Sequence, residues 1–204
     1  MSEILNVFLV GVGGQGILLA GEILCRMALL SGKDVKKSEV HGMAQRGGSV
    51  VGQVRIGDRV HSPLIATGAS DVLVAFEKVE ALRFAHELRP GGVAVVNDQE
   101  IRPITVTTGQ SEWPADLDGD LRSAFPRLDL VPALEIASGL GNVRVVNLVL
   151  IGALSRHLDV PEEVFQEAIG ALVPAKLREL NLCAFEAGRA ALVGAKPASA
   201  DHSS

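Results

Sequence analysis

The chain has 204 residues, 48% of them apolar and 21% charged, with a formal net charge of −5. That length suffices for one well-packed domain, and the acidic balance excludes a function built on attraction to a polyanion such as nucleic acid. Only 3% of the residues are aromatic and none is Tyr, which removes the stacking platform of single-stranded nucleic-acid binders and leaves a core of Val, Leu, Ile and Ala, as in α/β folds with buried parallel strands.

Taken in chain order, residues 4–10 form a short apolar strand, Gly11 to Gly16 a turn, and residues 17–30 a helix stopped by Ser31-Gly32. A second short strand spans 35–37, followed by a twelve-residue polar loop, Ser38 to Ser49. Residues 49–56 alternate as a strand does, and Gly57-Asp58 reads as a hairpin turn returning through Arg59-Val60-His61. A buried strand over 71–76, a helix over 79–88 closed by Pro90-Gly91-Gly92, and a strand over 93–96 follow. Residues 99–127 read as irregular, with an edge strand over 128–131. The remainder is helical: 132–140, 145–158, a helix opening at Asp159-Val160-Pro161-Glu162 with Asp159 as its cap, and a last helix over 175–192. The fold expected is α/β: an open, mostly parallel, Rossmann-like sheet flanked by helices, with a β-hairpin insertion and a helical C-terminal part. It occupies residues 1–192 as one domain, and residues 193–204 are expected to be a disordered tail.

Cys25 and Cys183 lie far apart in helix-like stretches. Two thiols are too few for a four-cysteine iron–sulfur cluster or a structural zinc, so both are expected to be small buried hydrophobes. No signal peptide is visible at the start, and Glu22 and Arg26 interrupt the first helix. The reading is a cytoplasmic protein without a membrane span.

The motif Gly11-Val12-Gly13-Gly14-Gln15-Gly16 stands between a strand and a helix, the context a phosphate-binding turn requires. A nicotinamide enzyme also needs an acid at the end of its second strand; Asp34 comes too early, and Glu39 opens the polar loop instead of ending an apolar strand. The polar loop is longer than the usual connection of about 4–6 residues. Its His41 and Arg46 suit an anion, and Gly42, Gly47 and Gly48 give it conformational range. The bland alternative is self-capping through Glu39 and Arg46. His41 and His61 are not at ligand spacing, no G-x-S-x-G elbow is present, and neither cysteine has an adjacent histidine. Asn97-Asp98 falls at a strand end where open α/β sheets place ligands.

Three segments together, residues 10–16, Ser38-Glu39-Val40-His41-Gly42-Met43-Ala44-Gln45-Arg46-Gly47-Gly48-Ser49-Val50 and Ser62-Pro63-Leu64-Ile65, resemble the gamma-type subunit of 2-oxoacid:ferredoxin oxidoreductases. Residues 76–83, 90–93, 141–147 and 179–188 agree, so the resemblance covers about residues 4–190. Within the family, the beta subunit of indolepyruvate:ferredoxin oxidoreductase is the nearest pattern. The resemblance implies a reaction in which an aryl 2-oxoacid, coenzyme A and oxidised ferredoxin give the aryl-acetyl-CoA, carbon dioxide and reduced ferredoxin. It places thiamine diphosphate and [4Fe-4S] clusters in a large alpha subunit and leaves this chain non-catalytic. Pyruvate and 2-oxoglutarate enzymes are the alternatives within the family; a stand-alone NAD(P)-dependent dehydrogenase or a regulatory nucleotide-binding module is the alternative outside it. Candidates for cofactor or interface contact are Gly11, Gly13, Gly14, Gln15, Gly16, Glu39, His41, Gln45, Arg46, Gly47 and Gly48; no catalytic residue and no metal ligand is assigned.

Overall fold

The computed structural model of the protein describes residues 4–41, 48–101 and 115–192. Half of the polar loop, residues 42–47 with Gln45, Arg46 and Gly47, and the 193–204 tail lie outside them. Six strands form one sheet: β1 (Leu5–Val12), β2 (Asp34–His41), β3 (Ser49–Gly57), β4 (Ser70–Ala75), β5 (Leu88–Asn97) and β6 (Leu128–Val131), in the order β2-β3-β1-β4-β5-β6. β1, β4, β5 and β6 are parallel, and β3 runs antiparallel to both β1 and β2.

β1 shows why the sheet is covered on both sides. Its side chains alternate between faces, yet Val7, Phe8, Leu9 and Val10 are all buried. Val7 and Leu9 join a core with α1 (Ile17–Leu30), α4 (Ala133–Gly139), α5 (Val146–Ser155), α6 (Glu162–Leu172) and α7 (Arg178–Ala191). Phe8 and Val10 join a smaller core with α2 (Lys78–Arg83) and α3 (Leu117–Ala124). All ten residues of α5 are buried, so this helix is apolar on every side. It crosses α7 at glycines: a Cβ on Gly152 would stand 2.0 Å from Phe185 O, and one on Gly188 would stand 1.9 Å from Val149 O.

Several sequence expectations shift. The polar stretch Ser38–His41 continues β2, with Ser38 opposite Gln53 and His41 opposite Val50. A backbone ladder is indifferent to side-chain polarity, and an edge strand can point polar side chains outward. The hairpin therefore joins β2 to β3 through residues 42–48, not at Gly57-Asp58. Beyond Gly57 the chain is held by side chains: Asp34 Oδ2 accepts Val60 N–H at 2.8 Å, and the Arg55 guanidinium donates to the carbonyls of Ser62 and Leu64 at 3.0 and 3.1 Å.

The helix expected over 79–88 ends at Arg83, gives a 3₁₀ turn over Ala85–Glu87, and Pro90-Gly91-Gly92 lie within β5. Helix α3 occupies part of the stretch read as irregular; Asp116 caps it by accepting Gly119 N–H at 2.9 Å. Helix α6 starts after Pro161, with no side-chain cap from Asp159, because proline at the boundary already fixes the entry angle. The last helix is preceded by a separate turn over Ala175–Leu177.

Candidate functional site at the carboxyl edge of the sheet

β1 leads through α1 to β2 on one side, while β4 leads through α2 to β5 on the other. The carboxyl ends of β1 and β4 therefore flank the point where the strand order reverses, the place where open α/β sheets bind ligands. The glycine turn sits on one side of that point and Phe76-Glu77-Lys78 on the other.

Polar side chains tie the two sides together. Gln15 Nε2 donates to Phe76 O at 3.0 Å, and Gln15 Oε1 accepts Val12 N–H at 2.7 Å. Asn97, fully buried at the end of β5, also donates to Phe76 O, at 3.1 Å. Asn147 of α5 lies against Gly16, where a Cβ would approach its Nδ2 to 2.8 Å. Gly16 has φ 82°, which a side chain rarely adopts. The Oδ1 atoms of Asn97 and Asn147 are buried without a hydrogen-bond partner among the described residues. Helix α1 begins bonding with Ala20 N–H to Gly16 O at 3.1 Å, so the N–H groups of Ile17, Leu18 and Leu19 have no acceptor within the helix.

The second side is charged. Glu77 caps α2 by accepting the N–H groups of Val79 and Glu80. Burial pushes its carboxyl above the usual range, against those two hydrogen bonds. Ser49 Oγ donates to Glu80 and so fastens the start of β3 to α2. Lys78 is buried and meets Asp98 and Asp118 at 2.7 Å and Glu100 at 3.6 Å. Burial alone would lower its pKa; the hydrogen-bonded carboxylates of Asp118 and Asp98 outweigh it and raise the pKa.

The sequence candidates separate on this frame. Gly13, Gly14, Gln15 and Gly16 meet at the turn, and Gly48 joins them, its carbonyl accepting Gly13 N–H at 3.0 Å. Gly11 is a packing position, where a Cβ would strike Gln15 and Phe76 at 2.6 and 2.7 Å. Glu39 does not reach the turn: it meets Lys37 at 2.7 Å, and Lys37 also pairs with Glu22 of α1. His41 ends β2, while Gln45, Arg46 and Gly47 fall outside the described residues. The dinucleotide arrangement is not formed, because β3 separates β2 from β1 and the Gly13 N–H is already engaged by protein. Asn147, Glu80 and Ser49 lie in segments that carry the resemblance but were not singled out as site residues; the fold brings them to this edge.

Four exposed apolar side chains lie in segments next to this edge: Leu18 (44%) in the first turn of α1, Val40 (59%) near the end of β2, Ile101 (36%) after β5 and Val143 (56%) just before α5.

Residues 6–191 match the family model described as pyruvate ferredoxin/flavodoxin oxidoreductase. The chain belongs to this family. It is 41% identical over 197 residues to the indolepyruvate oxidoreductase subunit IorB of Archaeoglobus fulgidus, covering 95% of this chain and 98% of the relative. It is 40% identical over 191 residues to the subunit of the same name from Thermococcus kodakarensis, covering 90% and 93%. In structure it is similar to the gamma subunit of the keto/oxoacid ferredoxin oxidoreductase of Geobacter sulfurreducens, with a TM-score of 0.70 and 25% identity over 94% of this chain and 99% of that one. As in those gamma-type subunits, this family member carries a mostly parallel sheet flanked by helices. Among its described residues no helix is long and apolar enough to cross a membrane.

Proposed function

We propose that the chain is the smaller, non-catalytic subunit of a cytoplasmic indolepyruvate:ferredoxin oxidoreductase. The observation that carries the reading is the identity of about two residues in five with subunits of that name, over nearly the whole of both chains. Thiamine diphosphate and the [4Fe-4S] clusters then belong to the large subunit, which passes electrons to ferredoxin. A four-thiolate cluster does not fit this chain's own donors: it has two cysteines, one on α1 and one on α7. Burial also pushes the Cys25 thiol up to about 11, which disfavours the thiolate a metal needs. The carboxyl edge is the surface offered to the large subunit or to coenzyme A. Its N–H groups suit an anion, and the exposed apolar side chains next to it suit a protein interface.

The test is anaerobic purification of the tagged chain from its native cells. A brown complex with a larger subunit, bound thiamine diphosphate and 2-oxoacid-dependent viologen reduction is expected, with indolepyruvate preferred over pyruvate and 2-oxoglutarate. A preference for pyruvate or 2-oxoglutarate would reassign the substrate. A colourless chain that purifies alone would overturn the subunit reading.

A further inference from the structure

The opposite, amino edge of the sheet holds a cleft of 1130 Å³. Its floor is apolar and comes from the last turns of α1 (Met27, Ala28), the end of the antiparallel β3 (Ile56), the start of β4 (Val72) and the middle of β5 (Val93). Each of these is at most 7% exposed, and Val160 and Val164 form a wall where α6 begins.

The cleft is also lined by the cationic Lys33, Arg89, Arg127 and Arg156, by His157, and by the carboxylates of Asp58, Asp71 and Asp159. Arg89 pairs with Asp71 at 2.6 Å, and His157 pairs with Asp129. Among the described residues, Arg127 donates to a backbone carbonyl, Gly91 O, at 2.9 Å. Neither Arg127 nor Arg156 has a carboxylate partner among the described residues. Arg156 stands at the end of α5, where a cation complements the helix dipole. That accounts for Arg156, but not for Arg127, which precedes a strand.

We propose that this cleft binds an amphipathic organic anion, a carboxylate carried on an apolar chain or ring. The two arginines meet the carboxylate through charge-assisted hydrogen bonds, and the apolar body lies on the floor. The cleft slightly exceeds the usual ligand pocket of about 300–1,000 Å³, so it accommodates a chain of several carbons together with water. It lies at the other end of the strands from the glycine turn, so a ligand there does not compete with whatever occupies the carboxyl edge. The assignment does not depend on the function proposed above.

The chain has three methionines, and of these Met27 lines the floor. The test is methyl-labelled methionine NMR of the full chain, titrated with octanoate, 1-octanol and octylammonium. Octanoate is expected to shift the Met27 methyl saturably, octanol to bind more weakly, and octylammonium weakest of all. In the double variant Arg127→Gln/Arg156→Gln, octanoate affinity should fall roughly tenfold or more. Both side chains are exposed, so the spectrum itself should report an intact fold. An unmoved Met27 resonance, equal binding of octylammonium, or unchanged affinity in the double variant would overturn the assignment.

Discussion

The side-chain amide of Gln15 holds the carbonyl of Phe76 at 3.0 Å and so locks the end of β1 to the end of β4 at the point where the strand order reverses. Its oxygen simultaneously takes the Val12 N–H. Gln15→Leu keeps the bulk and loses both bonds, leaving Val12 N–H without its acceptor. The expected loss is about 1–3 kcal/mol of stability, measured by urea denaturation. A variant as stable as the parent would show that water replaces the amide at no cost.

The α5–α7 crossing predicts a sharp contrast between two glycines. Gly188→Ala drives a methyl to 1.9 Å from Val149 O. The obstacle is backbone, which cannot rotate away, so a loss of about 3 kcal/mol or more is expected. Gly139→Ala in α4 meets nothing within 4 Å and should stabilise by up to about 1 kcal/mol through helix propensity. Thermal melts of the two variants would check both signs.

Glu77 predicts a pH dependence. Its folded-state pKa is raised by burial above the ordinary value of 4.5. Such a group binds more protons folded than unfolded, so its stabilising contribution is complete below 4.5 and is lost as pH rises through the folded value. Glu77→Gln removes that slope. The wild type should therefore lose stability relative to the variant as pH increases from 4.5 upward. A difference that stays constant across that range would place the carboxyl at its ordinary pKa.

Lys78 carries the opposite charge at the same junction. Lys78→Met removes the cation shared by Asp98, Asp118 and Glu100. The acids are 36–47% exposed, so water offsets much of the repulsion, and a loss of about 1–2 kcal/mol is expected. The deficit should shrink in high salt; a salt-independent deficit would point to lost packing of the lysine stem.

How far these groups could be found in sequence depended on how local their causes are. The strand–turn–helix from Leu5 to Leu30 was legible because alternation, glycine spacing and the Gly32 stop, at φ 69°, all act within a few residues. The sheet order was not, because nothing in the residues 49–57 announces that they will insert between β1 and β2. The same insertion removed Glu39 from the candidate site. Helix α3 was hidden by an Asp- and Gly-rich start that reads as loop until Asp116 is seen capping it. Asn147 is 131 residues from Gly16, a distance over which no spacing rule operates.

The exposed apolar side chains next to the carboxyl edge predict where a partner grips. Val143→Asp and Leu18→Asp add charge to exposed positions and should leave the melting temperature within about 0.5 kcal/mol of the parent in stability terms. Each is expected to weaken association with the large subunit roughly tenfold, as loss of an interface anchor does, measured by surface-immobilised binding. Full affinity in both variants would move the interface elsewhere.

The bond from Gly13 N–H to Gly48 O closes a loop of chain on itself. Everything from the glycine turn through α1 and along β2 departs from this one contact and returns to it. The start of β3 and the head of α1 are thus tied together directly at the turn. A load on the start of β3 is felt there through this one bond, and the exchange rate of a single amide proton, that of Gly13, reads it.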